Sequence, residues 1–462
     1  MITEQETALV RHCIDFALAK GASGIRITLT KSTEDQIATL DGEIDKVTHC
    51  ADRSISAAIF ADGRFGSFST NRLEEAPLEE FITNAIETVR LLTPDPFRVL
   101  PAPERCCKTA LTGLELGSYC GEYAGTSPED RRKAALDASM YGKCDFLPEG
   151  LKLVSEEGEY SDSEYDVLVI DSQGLYCRHS ETSYDYGVEL TLEDGNGDKY
   201  SDYWWTSSPF RSSFDPSDCS ATAIRRAAAR VGAGPVESGK YNMVIGCEVS
   251  SRLVSPLLNA LSAYSIQQGK SFLVGSEGKK IFSSGLTIVD EPWRKGDCCS
   301  KLFDSEGVAT APSDIIAGGV ISRYFVNTYM SGKLGIPPTI EEAVRPRLLP
   351  WAGRTDGINA NATGGTGAPS DRFDLMRLCG SGILVTDFNG GNCNMTTGDF
   401  SYGVSGHLFR DGKIVAPVSE MLITGNFIEL WNKLTAAGSD YRECASKQVP
   451  SLAFAGVDFS GE

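Results

Sequence analysis

The chain has 462 residues, 41% of them hydrophobic and 23% charged, which is the composition of a globular protein long enough for two or three packed units. A formal net charge of −20 argues against duplex nucleic acid and anionic membrane surfaces as direct partners, since both are bound by neutralising negative charge. No apolar run approaches the ~20 residues that a membrane span requires.

Thr3 and Glu6 form a capping box ahead of a helical stripe at Ala8, Leu9, Cys13, Ile14 and Ala17, and Gly21 ends that helix. From Gly24 to Thr70 the apolar period becomes two, so IRITLT, EIDKVTH, SISAAIF and RFGSFST read as strands. Asp41-Gly42 and Asp62-Gly63 have the residue types that hairpin turns demand. After Pro77 a second helix carries Leu78, Phe81, Ile82, Ala85, Ile86 and Val89 on one face. The proline-rich stretch 93–103, TPDPFRVLPAP, reads as a stiff linker.

Beyond the linker the order of elements recurs. Ser127 with Asp130 caps a helix through Tyr141, and strands are expected at Leu151–Glu157, Asp166–Asp171, Leu175–Thr182 and Gly187–Leu192. A helix capped by Asp215 then runs from Pro216 to Val231. The duplication is one of architecture, since the two units share no visible sequence identity. Gly232-Ala233-Gly234-Pro235 marks the next boundary. The fold class is therefore α+β, with a helix–antiparallel meander–helix N-terminal half, duplicated, followed by a β-rich C-terminal part. The domains divide at 1–100, 108–232 and 238–462.

The last domain opens with the strand YNMVIG and an expected helix near Ser250 to Ala263. Residues 354–370 read as a loop. Within them ATGGTGAPS (362–370) lacks the lysine of a phosphate-binding loop and follows no clear strand. From Gly382 to Trp431 the pattern becomes a compact unit. Ile383 to Val385 reads as a buried strand closed by a turn at Asn389-Gly390-Gly391, and Phe400–Phe409 and Lys413–Thr424 flank Asp411-Gly412. Asn426 caps a helix with Glu429 three residues on, placing Phe427, Leu430, Trp431 and Leu434 on one face.

GILVT, NMTTGDFS, the hairpin around Asp411-Gly412, the Pro417-Val418 pair and the closing Gly425-Asn426 helix resemble, in this order and spacing, the TldD/PmbA (TldE) family. The wording TGDFSYGVSGHLFRDGKI is more similar to the PmbA/TldE branch than to the TldD branch. IRITLT, TPDPFRVLP, KSFL and FDSEGVAT extend the likeness to nearly the full length. TldD-type members resemble metallopeptidases with a helical H-E-x-x-x-H motif and a late cysteine, in which the glutamate serves as base on metal-bound water. The matching stretch here is Cys247-Glu248-Val249-Ser250-Ser251-Arg252, which keeps the glutamate and replaces both histidines. Cys444, in RECASKQVP, corresponds to the third ligand.

Arg252 has no lone pair to offer a cation. One helical turn after Glu248, it is in the favourable order for an i,i+4 ion pair. Cys247 could serve a soft metal as thiolate, but it has lost its histidine partner. The resemblance thus implies a subunit without metal of its own. Zinc is expected only in a TldD-like partner, the assembly is a heterodimer, and an extended peptide or unfolded protein is held by strand addition. Two alternatives stand beside it: a self-sufficient hydrolase with a relocated site at Cys444 or Glu248, and a homodimeric peptide-binding module. Family names also mention modulation of DNA gyrase, which the net charge makes an indirect effect.

The four histidines do not share an element. His12 is expected on the surface of the first helix, and His49 and His179 at half-exposed strand positions. His407 could form a nucleophile pair with Cys444 or Cys393. Tyr203-Trp204-Trp205 reads as sheet packing, with an aromatic binding surface as the alternative. The start, MITEQETALVRHC, lacks the basic and apolar regions of a signal peptide, so the expected compartment is the cytoplasm and the fourteen cysteines are expected to be free thiols.

Overall fold

The computed structural model describes residues 1–143, 147–353 and 368–461. The described residues fall into two compact units. The first comprises residues 1–228, 292–311 and 327–340, and the second residues 229–291, 312–326 and 341–462. The loop read over 354–370 lies, as far as residue 367, outside the described residues.

In the first unit α1 (Glu4–Ala19) starts at the Thr3–Glu6 capping box, as its sequence dictates. Then come β1 (Gly24–Leu40), β2 (Glu43–Ala61), β3 (Arg64–Thr70) and α2 (Glu75–Val89). The second half repeats this with α3 (Pro128–Ala138), β4 (Lys152–Asp171), β5 (Tyr176–Glu193), β6 (Lys199–Ser208) and α4 (Cys219–Ala228). Asp41-Gly42 and Asp62-Gly63 turn with φ of 52° and 80°, and 52° and 69°, the left-handed values their residue types accommodate. All six strands form one antiparallel sheet in the order β3-β2-β1-β4-β5-β6, so β1 and β4 join the halves at the centre.

The strands are longer than their sequence suggests. EIDKVTH and SISAAIF are one strand, β2, and the expected pairs 151–157/166–171 and 175–182/187–192 are each one strand, β4 and β5. In β2 the cause is visible: residues 43–53 are solvent-accessible on both faces, so they lack the apolar alternation that announces a strand.

The helices cover one face of this sheet. Val10, Ile14, Leu78 and Ile82 pack on Ile25, Ile27, Ile55 and Ile59, and Ala135 and Ala223 pack on Ile37, Tyr160, Tyr186 and Val188. Each fully buried aliphatic chain contributes roughly 1.5–3 kcal/mol. Arg131 of α3 fixes the second helix pair by a bidentate ion pair to the fully buried Asp162 of β4, with Nε–Oδ2 at 2.8 Å and Nη2–Oδ1 at 2.9 Å.

The second unit is built on a barrel. β7 (Gly239–Ile245) runs parallel to β12 (Gly382–Cys393), which leads by antiparallel pairing to β13 (Asp399–Arg410) and β14 (Lys413–Asn426). β16 (Leu452–Ser460) pairs with both β14 and β7 and closes the ring, and β15 (Leu434–Ala437) adds to its edge. A small sheet of β8 (Ile288–Asp290), β9 (Ser313–Ala317), β10 (Val320–Ile321) and β11 (Pro346–Leu348) accompanies it.

Ile383 to Val385 are buried as expected, but β12 does not turn at Asn389-Gly390-Gly391. The strand continues through a bulge there, because Gly391 lies so close to the Ser401 carbonyl that no Cβ fits. The turn falls at 394–398 instead. Asn426 caps the helix Phe427–Asn432 through the amide of Ile428 at 3.0 Å, and Leu434 already belongs to β15. No helix among the described residues is long and apolar enough to cross a membrane.

Candidate functional site

β7 ends at Ile245, between β12 and β16, and the chain turns through 246–250 into the helix Ser251–Ala260. This turn carries the residues that the sequence singles out. The Gly246 amide donates to the Val385 carbonyl at 3.1 Å, holding the turn against the barrel end. The Cys247 amide donates to Ser451 Oγ at 3.0 Å, and Ser451 in turn donates to Asp440 Oδ2 at 2.6 Å. Ser250 Oγ donates to the Val449 carbonyl at 3.0 Å. Residues 247–250 and 440–451, nearly 200 positions apart, are thereby stitched into one structure.

Glu248 points away from Arg252. Its Oε1 accepts from Arg372 Nη1 at 2.6 Å, with the glutamate side chain 3% exposed. The expected i,i+4 pair does not form because the helix begins only at Ser251, so Glu248 precedes it in a turn. Arg252 lies instead over the ring of the buried Tyr402, 5.7 Å from its centroid, a cation–π arrangement. Arg372 starts the helix Arg372–Cys379, whose N-cap Asp371 accepts from the amides of Phe373 and Asp374. A side chain at Gly246 would collide with the Glu248 carboxylate, so the glycine gives the pair its room.

Cys247 Sγ lies 3.9 Å from Glu248 Oε2. Burial, and then the charges of Glu248 and Asp440, push its thiol up to about 12, so it is protonated at neutral pH. Burial opposes the charge on Arg372, but the adjoining Glu248 carboxylate more than offsets it and the guanidinium is held more firmly protonated. Cys444 is half-buried and accepts from Arg442 Nη2 at 3.4 Å. The structure brings Cys247 and Glu248 together but does not gather Cys444 with them as a three-atom donor set. Among the described residues the one group of three such ligand atoms within 4.8 Å is His12, Glu75 and Glu79 of α1 and α2.

The other histidines are placed by their strands. His49 is exposed and bonds Asp35 at 2.9 Å across β1 and β2. His179, expected to be half-exposed, is 4% exposed and bonds Glu181 at 3.1 Å. His407 pairs with Leu384 while Cys393 pairs with Phe400, so they sit seven positions apart along β13, roughly 23 Å, and cannot act together. Trp204 packs on the helix-covered face under Arg226, 5.2 Å from its centroid. Tyr203 and Trp205 border a cavity of about 610 Å³ together with Glu157, Glu159 and Glu189.

Arg372, Asp440 and Ser451 were not legible as site residues. Arg372 is 124 residues from Glu248, and only the closed barrel makes them neighbours.

Two family models match the chain: the PmbA/TldA metallopeptidase C-terminal domain over residues 238–461, and the central domain of the same group over 124–231. The chain is 27% identical to the metalloprotease PmbA of Escherichia coli O157:H7, over 98% of this chain and 97% of that one. Its fold is similar to the crystal structure of a candidate modulator of DNA gyrase from Bacteroides thetaiotaomicron, with a TM-score of 0.91 and 35% identity over the whole of both chains. TldE from Thermococcus kodakarensis shares the fold at a TM-score of 0.78 and 18% identity, over 98% of this chain and all of that one.

Proposed function

The chain belongs to the PmbA/TldD metallopeptidase family, and we propose that it is a PmbA/TldE-like subunit that does not itself cleave peptides. A TldD-like partner supplies the metal and the hydrolytic water, and this chain helps to enclose an extended peptide or unfolded protein in the cytoplasm. The observation that carries the reading is the environment of Glu248. A general base must accept a proton from metal-bound water. Here its carboxylate is buried against Arg372, a permanent cation.

The donor set points the same way. Where the family resemblance places two histidines, Cys247 is a protonated thiol and Arg252 has no lone pair. These residues do not fit a catalytic zinc, which takes three protein ligands with free lone pairs and an open fourth position. Any effect on gyrase would then pass through proteolysis of a regulator, since a net charge of −20 disfavours DNA contact.

Elemental analysis of the purified chain, alone and co-expressed with a TldD-like partner, tests this. Metal and peptidase activity are expected together in the co-complex only, with no loss on Glu248→Gln. Stoichiometric zinc in the lone chain, with peptide cleavage abolished by Glu248→Gln, would overturn the proposal in favour of a self-sufficient enzyme.

A further inference from the structure

The face of the six-stranded sheet that the helices leave uncovered carries a cleft of about 610 Å³. Ladder register assembles it in two rows. Leu40, Glu157, Glu189 and Tyr203 stand side by side on β1, β4, β5 and β6, and Ala38, Glu159, Gly187 and Trp205 form the next row. Asp45 lines the same cleft from β2.

Three features of these rows do not serve the fold. Glu157 and Glu189 are directly opposite, about 5 Å apart at Cβ, where like charges destabilise a strand pair. Among the described residues, the side chains of Asp45, Glu157, Glu159 and Glu189 have no hydrogen bond or ion pair. Gly187 lies in β5, and a Cβ there would meet only the Trp205 Cβ, at an ordinary 3.8 Å. Neither backbone angle nor crowding requires this glycine, which weakens a strand. What it preserves is an open floor between Glu159 and Trp205.

We propose that the cleft binds a linear aliphatic polyamine. Its ammonium groups bridge carboxylates that follow one another at about 5 Å across the sheet and about 7 Å along β4. Its methylenes lie on Leu40 and on the rings of Tyr203 and Trp205, which also attract cations to their faces. A metal ion fits less well, because these carboxylates do not converge. Among the described residues, only His12, Glu75 and Glu79 bring three ligand atoms within 4.8 Å of one another. A peptide fits less well too. The cleft lies on a sheet face whose backbone groups are used by the ladders, so a peptide's amides would find no backbone partners there. Polyamine binding is independent of the peptidase role proposed above.

Isothermal titration calorimetry of spermidine into the full-length chain, at physiological salt, is expected to show a single site of micromolar affinity. Glu157→Gln should weaken binding about tenfold and, by relieving the like-charge pair, raise the unfolding midpoint of the unliganded chain. Trp205→Leu leaves the charge unchanged and should still weaken binding several-fold. Gly187→Val fills the floor and should abolish binding while the chain stays at least as stable. Magnesium should bind at least about tenfold more weakly than spermidine. Absence of binding, an affinity matched by magnesium, or an affinity unmoved by Trp205→Leu and Gly187→Val would each overturn the proposal. The last two would leave only diffuse attraction to an acidic surface. Tighter binding of acetyl-trilysine amide, a peptide of equal charge, would overturn it in favour of a basic protein segment.

Discussion

Two buried carboxylate–arginine pairs invite comparison. In the sheet unit Asp162 accepts from Nε and Nη2 of Arg131 and from the Tyr160 hydroxyl at 2.8 Å, and Arg131 also reaches Asp35 and the Thr126 carbonyl. In the barrel unit Glu248 accepts from Nη1 of Arg372, whose side chain is still 25% exposed, beside a protonated thiol. The first pair is a multiply bonded strut between a helix and a strand. The second joins a turn to the first residue of a helix, at the place that the family resemblance gives to the base. A charge pair thus takes its meaning from what it joins and what surrounds it. On that view the barrel pair neutralises a glutamate more than it braces a fold.

Breaking the strut is expected to have the largest effect. Asp162→Ala strands the Arg131 guanidinium in the core and should cost about 3–5 kcal/mol, read as a fall in denaturation midpoint with unchanged m-value. Glu248→Gln should cost less, about 1–3 kcal/mol, because Arg372 retains access to water. It should leave the peptidase activity of a co-complex intact. If Glu248→Gln destabilised the chain as much as Asp162→Ala, the two pairs would be equivalent struts and the distinction would fail.

Arg252→Ala removes the contact with the Tyr402 ring, for which about 0.5–1 kcal/mol is expected by chemical denaturation. The smallest effect is one of pH. Asp374 accepts from Ser370 and Arg377, which hold its carboxyl at about 2, below its ordinary 3.8. A depressed acid stabilises the folded state above its unfolded pKa and loses that contribution as pH falls through the folded one. The helix carrying Arg372 should therefore loosen between about pH 4 and pH 2, seen as faster amide exchange over 372–379, and Asp374→Asn should abolish that step.

What the sequence discloses depends on how local the cause is. The Thr3–Glu6 cap and the aspartate–glycine turns are legible because a few adjacent residues decide them. The α+β order, its duplication and the buried run at Ile383 follow from periodicity, which is also local. β2 reads as two strands because residues 43–53 are solvent-accessible on both faces, and such a strand leaves no alternation to detect. Gly390-Gly391 looks like a turn from composition, but is a bulge because of a backbone contact with Ser401, ten residues on from Gly391. At the site, Cys247 and Glu248 stand together as their adjacency requires. The partner of Glu248 could not be read, since Arg372 arrives only when β12 closes against β7.

The central pairing of β1 with β4 carries a cost during synthesis. Each half of the sheet presents, at β1 or β4, an edge that only the other half satisfies, and the pairing joins Arg26 to Asp171. A ribosome adding about 5–20 residues per second needs on the order of ten seconds to go from the end of β1 to the end of β4. Through that interval β1 has β2 on one side and an unpaired edge on the other. Translation speed and the supply of chaperones should therefore govern the soluble yield of this protein more than its final stability does.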